Sequence, residues 1–180
     1  MPDLLFPDTT VLINFAIINR MDLLQRVTNG RGRWCATVEF ECARSAQKPG
    51  LGALDEAPGI FGSAWYPQTR AEHVDVQTLR VGLARPGDSR RQHLGEAETL
   101  AIMIGRSVDG MFATDDRDAA RLASKKQITV ISTWDLMRLA ARCGFVDADT
   151  MWGYLQTLGA KSRGFPAGVR DRATFDTWLV

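Results

Sequence analysis

Apolar side chains recur along this chain at two different spacings, and the first is the spacing of amphipathic helices. Between residues 9 and 20, Val11, Leu12, Phe15 and Ile18 are three or four positions apart and so share one helix face. The same spacing recurs further along the chain. It predicts helices at 9–20, 21–27, 37–47, 70–83, 95–106, 116–126, 133–143 and 147–158.

In the second spacing, apolar residues follow one another directly in short runs between these helices. Such runs are typical of buried strands. The first run stops at Pro7, and the last is rich in β-branched residues. Strands alternating with helices indicate an α/β fold with a parallel sheet. The predicted strands are 4–6, 33–36, 110–114 and 128–131.

The pattern is weaker in two places. Residues 49–92 are rich in Gly, Pro and Ser and contain only the helix predicted at 70–83. Residues 160–180 are polar and then briefly amphipathic, so we expect a tail that packs on the domain or on a partner. The segment 1–159 is predicted to be one domain.

Composition narrows the class of protein. The 180 residues are 45% hydrophobic and 24% charged, which is typical of a globular domain with a sizeable core. The net charge of +1 gives no global sign of nucleic-acid binding, so any such contact needs a local patch. Cys35, Cys42 and Cys143 form no CxxC pair, which indicates reduced thiols.

The start of the chain predicts a cytoplasmic protein. Its first residues contain acids and no basic region, unlike a signal peptide. The longest early apolar run, VLINFAII, is too short to span a bilayer. We therefore expect no membrane association.

Acidic residues fall beside the ends of predicted strands and the starts of helices, in four clusters. Mg²⁺ and Mn²⁺ prefer carboxylate ligands, and a cation offsets the repulsion between crowded acids. The pattern therefore predicts an acidic metal pocket. The acids are Asp8, Glu41, the pair Glu96 and Glu98, and the group Asp115, Asp116 and Asp118.

Each acid also has an ordinary structural interpretation, and only their joint placement favours a site. Asp8 can cap a helix, and acids in the first turn of a helix are favoured by its dipole. However, Asp8 and the Asp115–Asp116 pair follow apolar strands directly. The carboxyl ends of parallel strands form the ligand-binding edge of such a sheet, and helices carrying Glu41 and Glu96 can reach it.

A phosphoacceptor signalling domain and a phosphatase class also have acids at this edge, and both fit poorly. A phosphoacceptor domain needs an acidic pair near its first strand, whereas this chain has Asp8 alone there. A haloacid-dehalogenase-like phosphatase needs a second Asp two residues later, where this chain has Thr10.

The four segments together resemble the PIN-domain ribonucleases, and among them the VapC-type toxins and close relatives. The resemblance rests on DTTVLINF after the first strand, on the step from Val38 to Glu41, on GEAE and on TDDRDAARLA. It covers residues 3–48 and 94–158, and it covers 49–92 only by position. The resemblance implies a three-layer α/β/α domain with a central parallel sheet.

The resemblance also implies roles for individual residues. Asp8, Glu41, Glu96 and Asp115 match the catalytic acids, and Asp8, Glu96, Asp115 and Asp116 match the metal ligands. Many members carry Asp at the third acid, where this chain has Glu, so Glu96 and Glu98 remain alternatives, as do Asp115 and Asp116. The matching supporting residues are Thr9, Glu98, Thr114 and Asp118.

The activity implied is hydrolysis of RNA phosphodiester bonds with Mg²⁺ or Mn²⁺, as the toxin of a toxin–antitoxin pair. The implied partners are RNA, a cognate antitoxin and a second copy of the chain. The alternative is a PIN-like module with little or no catalysis that binds nucleic acid or a protein. Basic residues suited to RNA are Arg31, Arg33, Arg44, Lys48, Arg90 and Arg91.

Overall fold

The computed structural model describes residues 4–89 and 91–180, and three parallel strands form its sheet. Arg90, one of the basic residues suited to RNA, lies outside the described residues. β1 is Leu4–Pro7, β2 is Gly110–Ala113 and β3 is Thr129–Ile131, with β2 in the middle. Pro7 is paired with Ala113, so β1 and β2 end side by side. The predicted α/β class with a parallel sheet is confirmed.

Helices make up most of the remaining chain. A 3₁₀ turn at Gly52–Glu56 precedes α4. Along residues 4–89 and 91–180, no helix has both the length and the apolarity needed to cross a membrane. The helices are α1 Thr9–Ile17, α2 Met21–Thr28, α3 Ala36–Ala46, α4 Ala57–Phe61, α5 Arg70–Leu83, α6 Leu94–Gly105, α7 Arg117–Lys125, α8 Thr133–Arg142, α9 Ala148–Ala160 and α10 Arg172–Leu179.

Alternation along the strands divides the apolar side chains between two cores. Leu5 and Ala113 belong to the larger core, with side chains from α1, α2, α3, α8 and α9. Phe6 and Phe112 belong to the smaller core, with side chains from α5, α6 and α7. Neighbouring strand residues point to opposite faces, so helices cover both faces of the sheet.

The strand predicted at 33–36 is wrong. Gly32 bridges to Leu5 and Cys35 bridges to Trp65, each as an isolated pair. The backbone N–H of Arg33 still donates to the carbonyl of Leu5 at 2.9 Å, but Trp34 and Ala36 then hydrogen-bond to the backbone of Trp65 instead of β1. The buried indole N–H of Trp34 donates to the carbonyl of Gly62 at 2.8 Å. The chain then turns directly into α3.

The two regions with weak patterns also adopt regular structure. α5 begins with a capping box between Thr69 and Glu72 and packs along α6. In the last 20 residues, α10 packs on α8 and α9, and Phe175 is fully buried in the larger core. The three cysteines are not paired with one another, and Cys35 and Cys42 are buried while Cys143 is exposed.

Candidate functional site

Asp8 lies at the carboxyl edge of the sheet, directly after β1. Its backbone N–H donates to the carbonyl of Ala113 at 2.8 Å, which fixes it beside the end of β2. Its Oδ2 accepts hydrogen bonds from the hydroxyls of Thr10 at 2.6 Å and Thr114 at 3.3 Å. Burial raises the pKa of Asp8, and the hydrogen bonds from both threonines oppose that rise.

Glu41 reaches the same edge from the middle of α3. Its Oε2 accepts a hydrogen bond from the Thr9 hydroxyl at 2.5 Å, which ties α3 to the residue after Asp8. Burial raises the pKa of Glu41, and the charges of Asp8 and Glu98 raise it further, against the hydrogen bond from Thr9.

Glu96 completes the group from the first turn of α6. Burial raises the pKa of its carboxyl group to about 7, and the charges of Asp8 and Glu41 contribute to that rise. We call Asp8, Glu41 and Glu96 the acid cluster. Its members come from three separate segments, and their charges repel one another.

A glycine allows α6 to approach α3 this closely. A Cβ at Gly95 would lie 3.2 Å from Cγ2 of Val38 and 3.3 Å from Oε2 of Glu41. Any larger residue at position 95 would therefore press directly on the carboxylate of Glu41. The glycine of the GEAE motif is therefore explained by the close packing of α6 on α3 beside the acid cluster.

Glu98 has a different environment from Glu96. Its carboxylate accepts hydrogen bonds from the backbone N–H of Thr37 at 3.2 Å and from the Thr37 hydroxyl at 2.5 Å. Thr37 lies in the first turn of α3, where free N–H groups favour a negative charge. Glu98 therefore holds the start of α3 against α6.

The carboxylate of Asp115 is held by three donors. Its Oδ1 accepts from the backbone N–H of Thr133 at 2.9 Å, and its Oδ2 accepts from the Thr133 hydroxyl at 2.6 Å and the Asn14 amide at 2.9 Å. These bonds join the end of β2 to the start of α8 and to the middle of α1. Asp115 thus lies at the sheet edge, and its carboxylate is hydrogen-bonded to α1 and α8.

Asp116 and Asp118 have separate roles. Oδ1 of Asp116 caps α7 by accepting from the N–H groups of Asp118 and Ala119, each at 2.8 Å. The N–H of Asp116 donates to the Thr114 hydroxyl at 3.1 Å, so one threonine connects Asp116 with Asp8. The carboxylate of Asp118 pairs with Arg85 and Arg121 at the surface.

Asp115 and Asp116 line a pocket next to the acid cluster, together with Thr10, Asn14 and Arg163. The guanidinium of Arg163 donates to Oδ1 of Asn14 at 2.5 Å and to the carbonyl of Thr10 at 3.3 Å. A positive charge from the loop before α10 therefore lies beside these two acids.

His93 also belongs to this region. It precedes α6 with a left-handed backbone, and its Nδ1 lies 3.4 Å from Oε1 of Glu96. That nitrogen is buried and has no hydrogen-bond partner within the described part of the chain. The sequence carried a signal for His93, its three-residue spacing from Glu96, but none for Arg163, which lies in the tail.

Carboxylate oxygens are the donors that a hard divalent cation takes, so the chemistry of this donor set fits Mg²⁺ or Mn²⁺. In the arrangement found across residues 4–89 and 91–180, no three acidic, histidine or cysteine side chains form a ready-made ligand group. Binding an ion would therefore require side-chain rotation within the site.

Comparison with protein-family models, with curated proteins and with solved structures finds no match for this chain.

Proposed function

We propose that this chain is a PIN-like, metal-dependent endoribonuclease, a three-layer α/β/α domain that hydrolyses RNA phosphodiester bonds. The observation that carries the proposal is the acid cluster itself. Its three carboxylates come from distant segments, and the charge of Asp8 raises the pKa of both glutamates. Burying like charges together costs folding free energy, so such a cluster favours a function over a structural role.

Asp8, Glu96 and either Asp115 or Asp116 would hold Mg²⁺ or Mn²⁺, with Glu41 reaching it directly or through water. When bound, such an ion supplies an activated water and stabilises charge on the scissile phosphate. Glu96 is preferred to Glu98 as the third acid because both oxygens of Glu98 already accept hydrogen bonds from Thr37.

The neighbouring hydroxyls orient the carboxylates in this mechanism. Thr10 and Thr114 fix one oxygen of Asp8, and Thr9 fixes one oxygen of Glu41. A carboxylate held on one side keeps its other oxygen for a ligand. This division of roles supports Thr9 and Thr114 as supporting residues, while Asp118 is turned toward Arg85 and Arg121.

The biological setting that we propose rests on the resemblance alone. In it the chain is a cytoplasmic toxin, acts as a homodimer and is blocked by a cognate antitoxin. Expression of the wild-type chain should then arrest growth, and Asp8→Asn should relieve the arrest. Equal toxicity of both forms would exclude RNA cleavage at this site as the cause.

The direct test is cleavage of single-stranded and of structured RNA by the purified chain, with Mg²⁺, with Mn²⁺ and with EDTA. We expect cleavage with either metal and none with EDTA. Cleavage that persists in EDTA would exclude a metal-dependent mechanism. Asp149→Asn is a suitable control, because the side chain of Asp149 is 85% exposed and pairs with Arg172 outside the site.

A catalytically weak binding module is the second candidate function. It is favoured by one observation: hydrogen bonds already engage Asp115 and Asp116, so the fourth ligand would have to leave its partners. RNA binding without cleavage in any metal would favour this alternative.

A further inference from the structure

A cavity of about 380 Å³ opens between α3 and the start of α6, next to the acid cluster. Thr37, Phe40, Glu41 and Arg44 form one wall, and the other wall includes Arg91. The four residues from α3 are spaced at i, i+3, i+4 and i+7, so they lie along one face of the helix. Pockets that bind small ligands are commonly about 300–1,000 Å³, so the cavity is large enough for one.

Phe40 presents an aromatic ring to this cavity. It is 58% exposed, although large apolar side chains in this fold are otherwise mostly buried. Burial of the ring would stabilise the protein, so its exposure does not contribute to the stability of the fold. An exposed ring of this kind is a surface on which another flat ring can stack.

Two arginines add positive charge to the same cavity. Arg44 and Arg91 are both exposed, and neither forms an ion pair with any acid in residues 4–89 or 91–180. Their charge lies beside the acid cluster, which would otherwise repel a phosphate backbone. A guanidinium also matches the geometry of phosphate oxygens.

We propose that this cavity binds an unpaired nucleotide of a single-stranded nucleic acid, with its base stacked on Phe40 and its flanking phosphates on Arg44 and Arg91. The inference rests on the proposed function, since it defines how the substrate strand enters that site. Glu41 is both a wall of the cavity and a member of the acid cluster. A strand seated on Phe40 therefore carries its neighbouring phosphate to the acids.

Binding can be tested without catalysis. A fluorescently labelled, 2′-O-methylated oligonucleotide that resists cleavage is titrated with the full chain in EDTA, and its anisotropy is measured. We expect Phe40→Leu to weaken binding about tenfold, because the aromatic stack is removed while an apolar side chain is kept. Phe40→Trp should bind at least as tightly as wild type.

A matched aromatic control is available. Tyr66 is 59% exposed, close to the value for Phe40, and does not line this cavity. We expect Tyr66→Leu to leave the dissociation constant unchanged. Equal losses of affinity for Phe40→Leu and Tyr66→Leu would overturn the proposal, because they would indicate nonspecific apolar binding.

The arginines are tested by the dependence of binding on salt. Removing one arginine that binds a phosphate should lower the slope of log Kd against log salt concentration by about 0.7 for a single strand. We expect this change for Arg44→Gln and for Arg91→Gln, but not for Phe40→Leu. Arg142→Gln on α8 serves as the exposed control and should leave the slope unchanged. Unchanged slopes for both cavity variants would overturn the proposal.

The outcome can be separated from that of the proposed function. If the wild-type chain cleaves RNA while the substitutions of Phe40, Arg44 and Arg91 do not change binding, the proposed nuclease activity is supported and the proposed nucleotide site is wrong. If binding depends on all three residues but no metal supports cleavage, the nucleotide site stands and the nuclease is wrong. A wild-type chain that binds no oligonucleotide overturns the nucleotide site and leaves a protein segment as the occupant to test.

Discussion

Two sites in this molecule bury a carboxylate, and they differ in whether other groups of the chain compensate its charge. Glu72, at the start of α5, is 4% exposed, and Asp8 in the acid cluster is 3% exposed. Glu72 accepts a hydrogen bond from Nε of Arg106 at 2.7 Å and another from the backbone N–H of Gln68 at 2.6 Å. Among residues 4–89 and 91–180, the donors to the carboxylate of Asp8 are hydroxyl and backbone groups, and the charges of Glu41 and Glu96 lie nearby.

The pKa values express this difference. Hydrogen bonds from Arg106 and then from Gln68 lower the pKa of Glu72 to about 2. In the acid cluster, burial and then the charge of Asp8 raise the pKa of Glu96 to about 7. A carboxylate that is compensated inside the chain stabilises the fold, whereas an uncompensated group is left for something from outside to neutralise.

The largest effect is expected for Asp8→Asn. The amide keeps the size of the side chain but removes the charge at the centre of the acid cluster. RNA cleavage should fall by a factor on the order of 10³ or more, because several kcal/mol of transition-state stabilisation would be removed. The measurement is the initial rate of cleavage in Mn²⁺, compared with wild type and Asp149→Asn.

The fold of this variant should be intact. Removal of a repelled, buried charge does not destabilise the protein, so thermal unfolding in EDTA should occur at or above the wild-type temperature. Full activity in Asp8→Asn would remove Asp8 from the mechanism.

The opposite behaviour is expected for Glu72→Gln. It leaves the guanidinium of Arg106, which is 24% exposed, without its carboxylate, so the free energy of unfolding should fall by about 3 kcal/mol. Urea denaturation near neutral pH measures this decrease. RNA cleavage per folded molecule should not change, because Glu72 lies outside the site.

The pH dependence of this decrease has a definite sign. The pKa of Glu72 is about 2 in the folded state, below its usual value of 4.5. The contribution of Glu72 to the free energy of unfolding is therefore complete above pH 4.5. It disappears as the pH falls from about 4.5 toward 2, and wild type and Glu72→Gln should converge there. Asp118→Asn, which breaks only exposed ion pairs, should leave stability nearly unchanged at every pH.

Some parts of this structure can be predicted from the sequence, and others cannot. Strands and helices follow from local spacing, so β1, β2, β3 and the helix of the weak region, α5, lie close to their predicted bounds. The strand predicted at 33–36 is wrong because the backbone leaves β1 after Arg33 and makes its next contact with Trp65, which is distant in the sequence. Local spacing contains no information about such a contact.

The same limit applies to the site. Glu96 and Glu98 are two positions apart, so a helix turns them to different sides, and the sequence leaves them as alternatives for the acid that joins Asp8. Which one does so depends on how α6 packs on α3. Arg163 contacts Asn14 across 149 residues, and nothing in the spacing of either segment indicates that pair. Roles assigned to the acids therefore stay predictions.

Glu96→Gln tests, through the stability of the protein, whether the charge of the acid cluster is uncompensated. The pKa of Glu96 is raised from 4.5 to about 7, so the folded state loses stability as the pH rises between these values. In EDTA at pH 8, Glu96→Gln should be more stable than wild type by about 2 kcal/mol, below the limit of about 3 kcal/mol set by that shift. At pH 4.5 the two should unfold together.

Added Mn²⁺ provides the control for this variant. An ion that neutralises the acid cluster should raise the unfolding temperature of wild type at pH 8 and have a smaller effect on Glu96→Gln. A variant less stable than wild type at pH 8 in EDTA would contradict the view of the cluster as uncompensated charge.

The smallest effects concern two glycines of α6, one packed against each carboxylate site. A Cβ at Gly95 would lie 3.3 Å from Oε2 of Glu41, and a Cβ at Gly105 would lie 3.0 Å from Cγ of Glu72. Gly153 in α9 has open space, so Gly153→Ala should stabilise the protein by about 0.5–1 kcal/mol. Gly95→Ala and Gly105→Ala should lack that gain and cost about 1 kcal/mol relative to it.

The two substitutions should differ in what they change besides stability. Gly95→Ala displaces Glu41, so it should lower the rate of RNA cleavage several-fold, while Gly105→Ala displaces only the ion pair and should leave the rate per folded molecule unchanged. Urea denaturation and initial rates on the three variants measure both effects. Because α6 carries both glycines, equal effects on cleavage would mean that the helix moves as one body, and the two carboxylate sites would then be mechanically coupled rather than independent.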